Sequence, residues 1–108
     1  VEHAMDLSFT YIINDIPYLL KKVDKSTCFV NLNTQKPEYR LHSDMKFRYM
    51  KNDIVVITRM RHRFFFIKKA SEYIEAYRIS ELHHPMFSTK AVYNSCAESG
   101  DDLIIFTN

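Results

Sequence analysis

Glycine is almost missing from this 108-residue chain, with Gly100 the single example. That excludes a glycine-rich phosphate loop, which needs several glycines to bring backbone amides onto a phosphate. Three prolines and no tryptophan are also few, so the turns must be made by Asn, Asp and Ser. The two cysteines, Cys28 and Cys96, lie far apart without C-x-x-C spacing; they read as buried thiols in a reducing, intracellular compartment. The longest apolar runs, Ile54 to Ile57 and Phe64 to Ile67, fall far short of the ~20 residues of a membrane span. The opening Val1-Glu2-His3-Ala4-Met5-Asp6 holds two acids and no apolar stretch, unlike a secretory leader. Beginning at Val, the chain reads as a domain taken from a longer one.

What is present points to one folded domain over residues 1–108. Hydrophobic residues make up 46% and charged residues 26%, which are globular rather than disordered proportions. Eight Phe and seven Tyr favour strands. The net charge of +2 is the residue of an uneven distribution. Between positions 46 and 69, Lys46, Arg48, Lys51, Arg59, Arg61, Arg63, Lys68 and Lys69 face Asp53 alone. Phe47, Tyr49, Phe64, Phe65 and Phe66 are interleaved with them. The flanking segments are mildly acidic.

Along the chain no internal repeat or low-complexity tract stands out. Leu7 to Tyr11 alternates as a strand. Asp15 caps an expected short helix with Ile16, Leu19, Leu20 and Val23 on one face. Thr27 to Leu32, Glu38 to His42 and Lys46 to Met50 read as strands. The Lys51-Asn52-Asp53 turn opens a long strand from Ile54 to about Lys68. Its period of two sends Arg59, Arg61 and Arg63 to one face and Val56, Met60, Phe64 and Phe66 to the core. Residues 70–82 fit either a helix or a strand. Lys90 to Ser95 and Leu103 to Phe106 close the chain around an acidic turn.

No constellation for catalysis emerges. Asp101 and Asp102 are adjacent and turn-like, His83-His84 with Cys96 match no zinc spacing, and His62 falls on the core register. The chain is therefore expected not to be an enzyme and to hold no metal or cofactor. The arginine strand has two readings. It is a solvated or edge-guarding face, or it is a surface for phosphates, with exposed rings as platforms for unpaired bases.

The segment Asn52-Asp53-Ile54-Val55-Val56-Ile57-Thr58-Arg59-Met60-Arg61 resembles the protection-of-telomeres family. There a Gly-Asp-Ile-(Ile/Val) turn opens a long strand of a single-strand-binding OB-fold, followed by an alternating basic pattern. Asn52 stands in the glycine's place, and Asn accepts a left-handed conformation. The tail, Ala91 to Ser95 and then Leu103 to Phe106, is similar to that family's last strand. The resemblance implies a mainly β, small OB-fold-like antiparallel barrel with one or two short helices. It also implies binding of single-stranded, G-rich telomeric DNA at chromosome ends in the nucleus, beside other telomere-bound proteins and without membrane or small-molecule substrate. In that picture Arg59, Arg61 and Arg63 contact phosphates and bases, and Phe47, Tyr49 and Phe65 stack. Arg48, Lys68 and Lys69 supply peripheral charge, while Tyr73 and Tyr77 close over the bases. The alternative is a β-rich interaction module that docks an acidic peptide or self-associates; five Met residues and an exposed Phe65 suit it.

Overall fold

The computed structural model describes residues 10–62 and 70–108. It is mainly β, with ten strands and no helix among the described residues. The chain forms two compact units, Val1–Ser43 and Asp44–Asn108.

The first unit is a four-stranded antiparallel meander: β1 (Thr10–Ile13), β2 (Ile16–Val23), β3 (Ser26–Asn31) and β4 (Lys36–Arg40), in that order. The helix expected over residues 16–23 is instead β2. Asn14 and Asp15 both have positive φ, 52° and 64°. Two left-handed residues in a two-residue loop make the turn whose twist matches a hairpin. Asp15 therefore bends the chain back on itself, and Ile13 faces Ile16. Asp24 and Lys25, φ 51° and 69°, repeat the device between β2 and β3. Ile13, Tyr18, Cys28, Phe29, Val30 and Leu41 are buried. Tyr18 donates to Glu38 at 2.6 Å and Asn31 Nδ2 donates to the same carboxylate at 2.9 Å. These two hydrogen bonds hold the Glu38 carboxyl below its ordinary range.

The second unit holds another four-stranded meander and a hairpin. The meander is β5 (Lys46–Lys51), β6 (Ile54–His62), β7 (Ala70–Arg78) and β8 (Phe87–Lys90); the hairpin is β9 (Tyr93–Ser99) with β10 (Asp102–Thr107). Residues 70–78 are thus a strand. Asn52, φ 56°, makes the β5–β6 turn as expected. Leu103, Ile105, Tyr93 and Cys96 pack on a cluster of Val56, Ile74 and Ala76. Full burial of side chains such as Ile74 contributes about 1.5–3 kcal/mol each.

Three expectations are corrected. Every strand pairs with its sequence neighbour, in three separate sheets. A barrel needs its sheet closed on itself, and no closed barrel forms among the described residues. Met60, placed in the core by its alternation with Val56, is 55% exposed; the covering of their shared face stops short of it. Repetition was not expected either, yet the same four-stranded meander occurs twice. Arg63, Phe64, Phe65, Phe66, Lys68 and Lys69 lie outside the described residues.

Candidate functional site

The antiparallel register of β6 and β7 decides what the arginines meet. Ile57 faces Glu75, Arg59 faces Tyr73 and Arg61 faces Ser71. Same-face diagonals bring Glu75 within reach of Arg59, and long side chains extend that reach to Arg61. Glu75 is fully buried. Arg61 Nη2 donates to its Oε2 at 3.0 Å, Ser88 Oγ donates to the same oxygen at 2.9 Å, and Tyr77 OH donates to Oε1 at 2.7 Å. Arg59 Nε lies 3.0 Å from Oε1 as an ion pair, its N–H too oblique to make a hydrogen bond. Arg59 also reaches Asp44 Oδ2 at 3.4 Å and donates to Tyr77 OH at 3.2 Å. Burial, with the hydrogen bond to Glu75 second, pushes the Tyr77 phenol up to about 12.

Two sequence-based roles change. Arg59, expected to face solvent, has a side chain only 14% exposed, because its charge is matched by Glu75 and Asp44. Tyr77, expected to close over a ligand, is a buried donor to Glu75. Arg61 is nearly half exposed, with its guanidinium 5.4 Å from the Tyr73 ring centre, so these two lie together.

Arg48 and Tyr49 belong to a different grouping. Arg48 Nε donates to Thr58 Oγ1 at 2.9 Å, and its guanidinium sits 5.1 Å from the centre of the Tyr93 ring. Tyr49 donates to Glu98 and packs against the hairpin side of the sheet. That hydrogen bond raises the Tyr49 phenol. Burial pushes the Tyr93 phenol up to about 12. Phe47, half-buried on β5, faces Ile57 on the opposite side of the sheet from Tyr49. The expected binding row is therefore divided between two sheet faces.

A concave feature of this unit lies elsewhere. A groove of about 540 Å³ runs beside β10. Ile54, Ala76, Met86, Phe87, Leu103 and Ile105 supply its apolar lining, and the turns at Lys51-Asn52 and Asp101-Asp102 its polar lining. Met86 and Phe87 are each about half exposed. Lys51 Nζ donates to Gly100 O at 2.6 Å and lies 3.7 Å from Glu98 Oε1, so its charge is already matched. Asp101 and Asp102 have no cation paired to their carboxylates among the described residues. Sequence reasoning missed both Glu75 and this groove. The signal for Glu75 was a lone acid inside Tyr73-Ile74-Glu75-Ala76-Tyr77, readable only once β7 is set against β6.

Among the described residues, no three His, Cys, Asp or Glu side chains are placed to hold a metal ion, and no helix is long and apolar enough to cross a membrane. No protein-family model, no curated protein and no solved structure matches the chain.

Proposed function

We propose that this chain is a protein-interaction module that takes an apolar polypeptide segment into the groove beside β10. The observation that carries this is the half-exposed pair Met86 and Phe87 lying beside the buried Ala76 on the neighbouring strand, in a concave, mainly apolar site. Large apolar side chains gathered in a concavity mark interaction sites, whereas singly scattered ones do not. Met adds an adaptable, polarizable surface. The matching of Arg59 and Arg61 by Glu75 and Asp44 adds support, since it removes much of the positive field an anionic ligand needs.

A second reading, binding of single-stranded DNA, is favoured by one observation. Arg61, half exposed, lies over the half-buried Tyr73 ring, a phosphate donor beside an aromatic side chain of the kind that stacks on bases. In its finer form this is the binding of G-rich, telomeric single strands that the sequence resemblance implies. One titration separates the two readings. Short peptides of apolar, acidic and basic composition and a G-rich single strand are titrated into the chain and into its Phe87→Asp and Arg61→Ala variants. Apolar peptide binding that Phe87→Asp abolishes and Arg61→Ala spares supports the module. DNA binding whose log–log salt slope flattens by about 0.7 in Arg61→Ala, without peptide binding, overturns it.

A further inference from the structure

Residues 1–45 are slightly acidic as a sequence, yet the first meander gathers four of its five cations at one end. Lys21 and Lys22 stand near the end of β2, Lys25 lies in the turn to β3, and Arg40 is the last residue of β4. The register sets Lys21 and Arg40 on either side of Cys28, on one face of the sheet, about 10 Å apart at two strand spacings. Arg40 Nη1 donates to Val23 O at 3.1 Å, which carries its guanidinium across β3 to the root of the turn. All four side chains are exposed. Among the described residues none of them is paired with a carboxylate. Glu38 is occupied by Tyr18 and Asn31, and Asp24 is the one acid described at this end.

Lys25 is the unusual member. It holds the second position of the two-residue loop at φ 69°, where glycine is favoured because a Cβ crowds the left-handed backbone. The other left-handed residues described are Asn, Asp, Gln and Gly; Lys25 alone among them is a cation. A lysine here gives up stability that glycine would supply, and what it brings instead is an exposed positive charge between Lys21 and Arg40. Strain held in place in this way points to a role beyond folding. We propose that this end of the first meander docks an acidic polypeptide segment, Lys21, Lys25 and Arg40 meeting its carboxylates. Lys22, which alternation sends to the other face, adds to the field. The surface belongs to the Val1–Ser43 unit, so its binding is separate from that of the apolar groove.

Two features favour a peptide over a nucleic acid. Three of the four cations are lysines, point charges without the planar fork that grips phosphates in pairs. The rings of this unit also pack on one another, Tyr11 on Phe29 and Tyr18 on Tyr39, rather than standing free for a base. An extended peptide carries alternate side chains about 7 Å apart, so acidic residues in alternation match the spread of the cluster. Exposed charges of this kind give an association that is steered at long range and sensitive to salt.

The test uses the full chain and a labelled short peptide in which Glu alternates with Ser. Its Gln counterpart is the control, and an oligothymidylate of equal charge is the nucleic-acid arm. Saturable binding of the Glu peptide is expected at low ionic strength, lost at high salt and absent with Gln. Lys25→Gly should weaken it about two- to fivefold while raising the melting temperature by about 2–8 °C, so loss of fold cannot account for the weaker binding. Lys21→Glu combined with Lys25→Glu should weaken it at least about tenfold. Lys36→Glu, at the opposite end of the sheet, should change it less than about twofold. An equal loss in Lys36→Glu overturns a local site in favour of net charge. Oligothymidylate binding that exceeds that of the peptide and falls in the same variants overturns the proposal in favour of a nucleic acid. No saturable binding of the Glu peptide, or binding that Lys25→Gly leaves unchanged, overturns the docking site, and neither result bears on the Phe87→Asp test of the groove.

Discussion

Removing the Glu75 carboxylate should be the most damaging single polar change in the Asp44–Asn108 unit. Its side chain is 1% exposed and the Arg59 side chain 14%, so Glu75→Ala leaves a guanidinium largely out of water without its counter-charge. Breaking a buried pair from one side costs about 3–5 kcal/mol. Tyr77 and Ser88 also lose their acceptor, at about 1–3 kcal/mol for each donor left unsatisfied. Against a total of about 5–15 kcal/mol for a domain, the variant should be close to unfolded at room temperature. Glu75→Gln keeps the volume but turns an amide NH2 toward donors, so it should fall between Glu75→Ala and wild type. Arg61→Ala, whose side chain is half in solvent, should cost no more than about 1 kcal/mol. Urea denaturation followed by far-ultraviolet circular dichroism measures all three. With a slope of about 1–3 kcal/mol per molar, a loss of 3 kcal/mol moves the midpoint by ~1–3 M. The double variant Glu75→Leu with Arg59→Met should recover much of the loss, because it removes both charges together. A Glu75→Ala loss under about 1 kcal/mol, or no recovery in the double variant, would refute a buried, mutually dependent cluster.

Alkali should act through the tyrosines. Tyr77 and Tyr93 are pushed up to about 12 from the usual 10.0, chiefly by burial. Folded values above the unfolded ones mean a contribution complete below pH 10 and lost as pH rises toward 12. Phenolate absorbance should therefore rise in two steps, the later one coinciding with unfolding; a single step in the ordinary range refutes this. The Glu38 carboxyl is held low by Tyr18 and Asn31, so its contribution is present above the ordinary carboxyl range and is lost as pH falls through the depressed value. Resonances of the Val1–Ser43 unit should report that loss, and Glu38→Gln should remove the pH dependence. At the turns, Gly100→Ala meets nothing within 4 Å of the new Cβ, so its cost should be the φ of 61° alone, about 1 kcal/mol. Lys25→Gly, at φ 69°, should instead stabilise by about 0.5–1 kcal/mol; the same sign for both substitutions in thermal melts contradicts the turn assignment. Ile74→Ala should cost about 2–5 kcal/mol, since Ile74 is fully buried under the β9–β10 hairpin.

The turns were where the sequence was easiest to read, and also where it misled. Asn52-Asp53 stands between alternating apolar segments and was read as a turn, which the structure bears out. Asn14-Asp15 is the same pair, yet it was read as a helix cap, because Ile16, Leu19, Leu20 and Val23 happen to satisfy helical spacing as well. The left-handed conformations of Asn14 and Asp15 decide the matter, and no periodicity count contains them. With one turn taken as a cap and another as a hairpin, the repeated Asp-containing turn went unnoticed. So did the meander it builds twice.

The candidate site was less legible, for a reason that lies in strand pairing. Alternation places Arg59 and Arg61 on one face of β6, and that much is correct. What a charged row does, however, depends on the residues across the ladder. Opposite a polar strand it is a field open to solvent; opposite Tyr73, Glu75 and Tyr77 it is half of a buried network. Neither β6 nor β7 alone reveals which, because register is a property of the pair. Apolar exposure has the same dependence. Leu103 and Ile104 are neighbours of similar hydrophobicity, yet one packs on the sheet and the other meets solvent, since only one face of the hairpin has a sheet to rest on. Ile104 and Phe106 therefore stand exposed in the same strand whose Leu103 and Ile105 are packed, and β10 read alone carries four apolar residues with nothing to tell the two pairs apart.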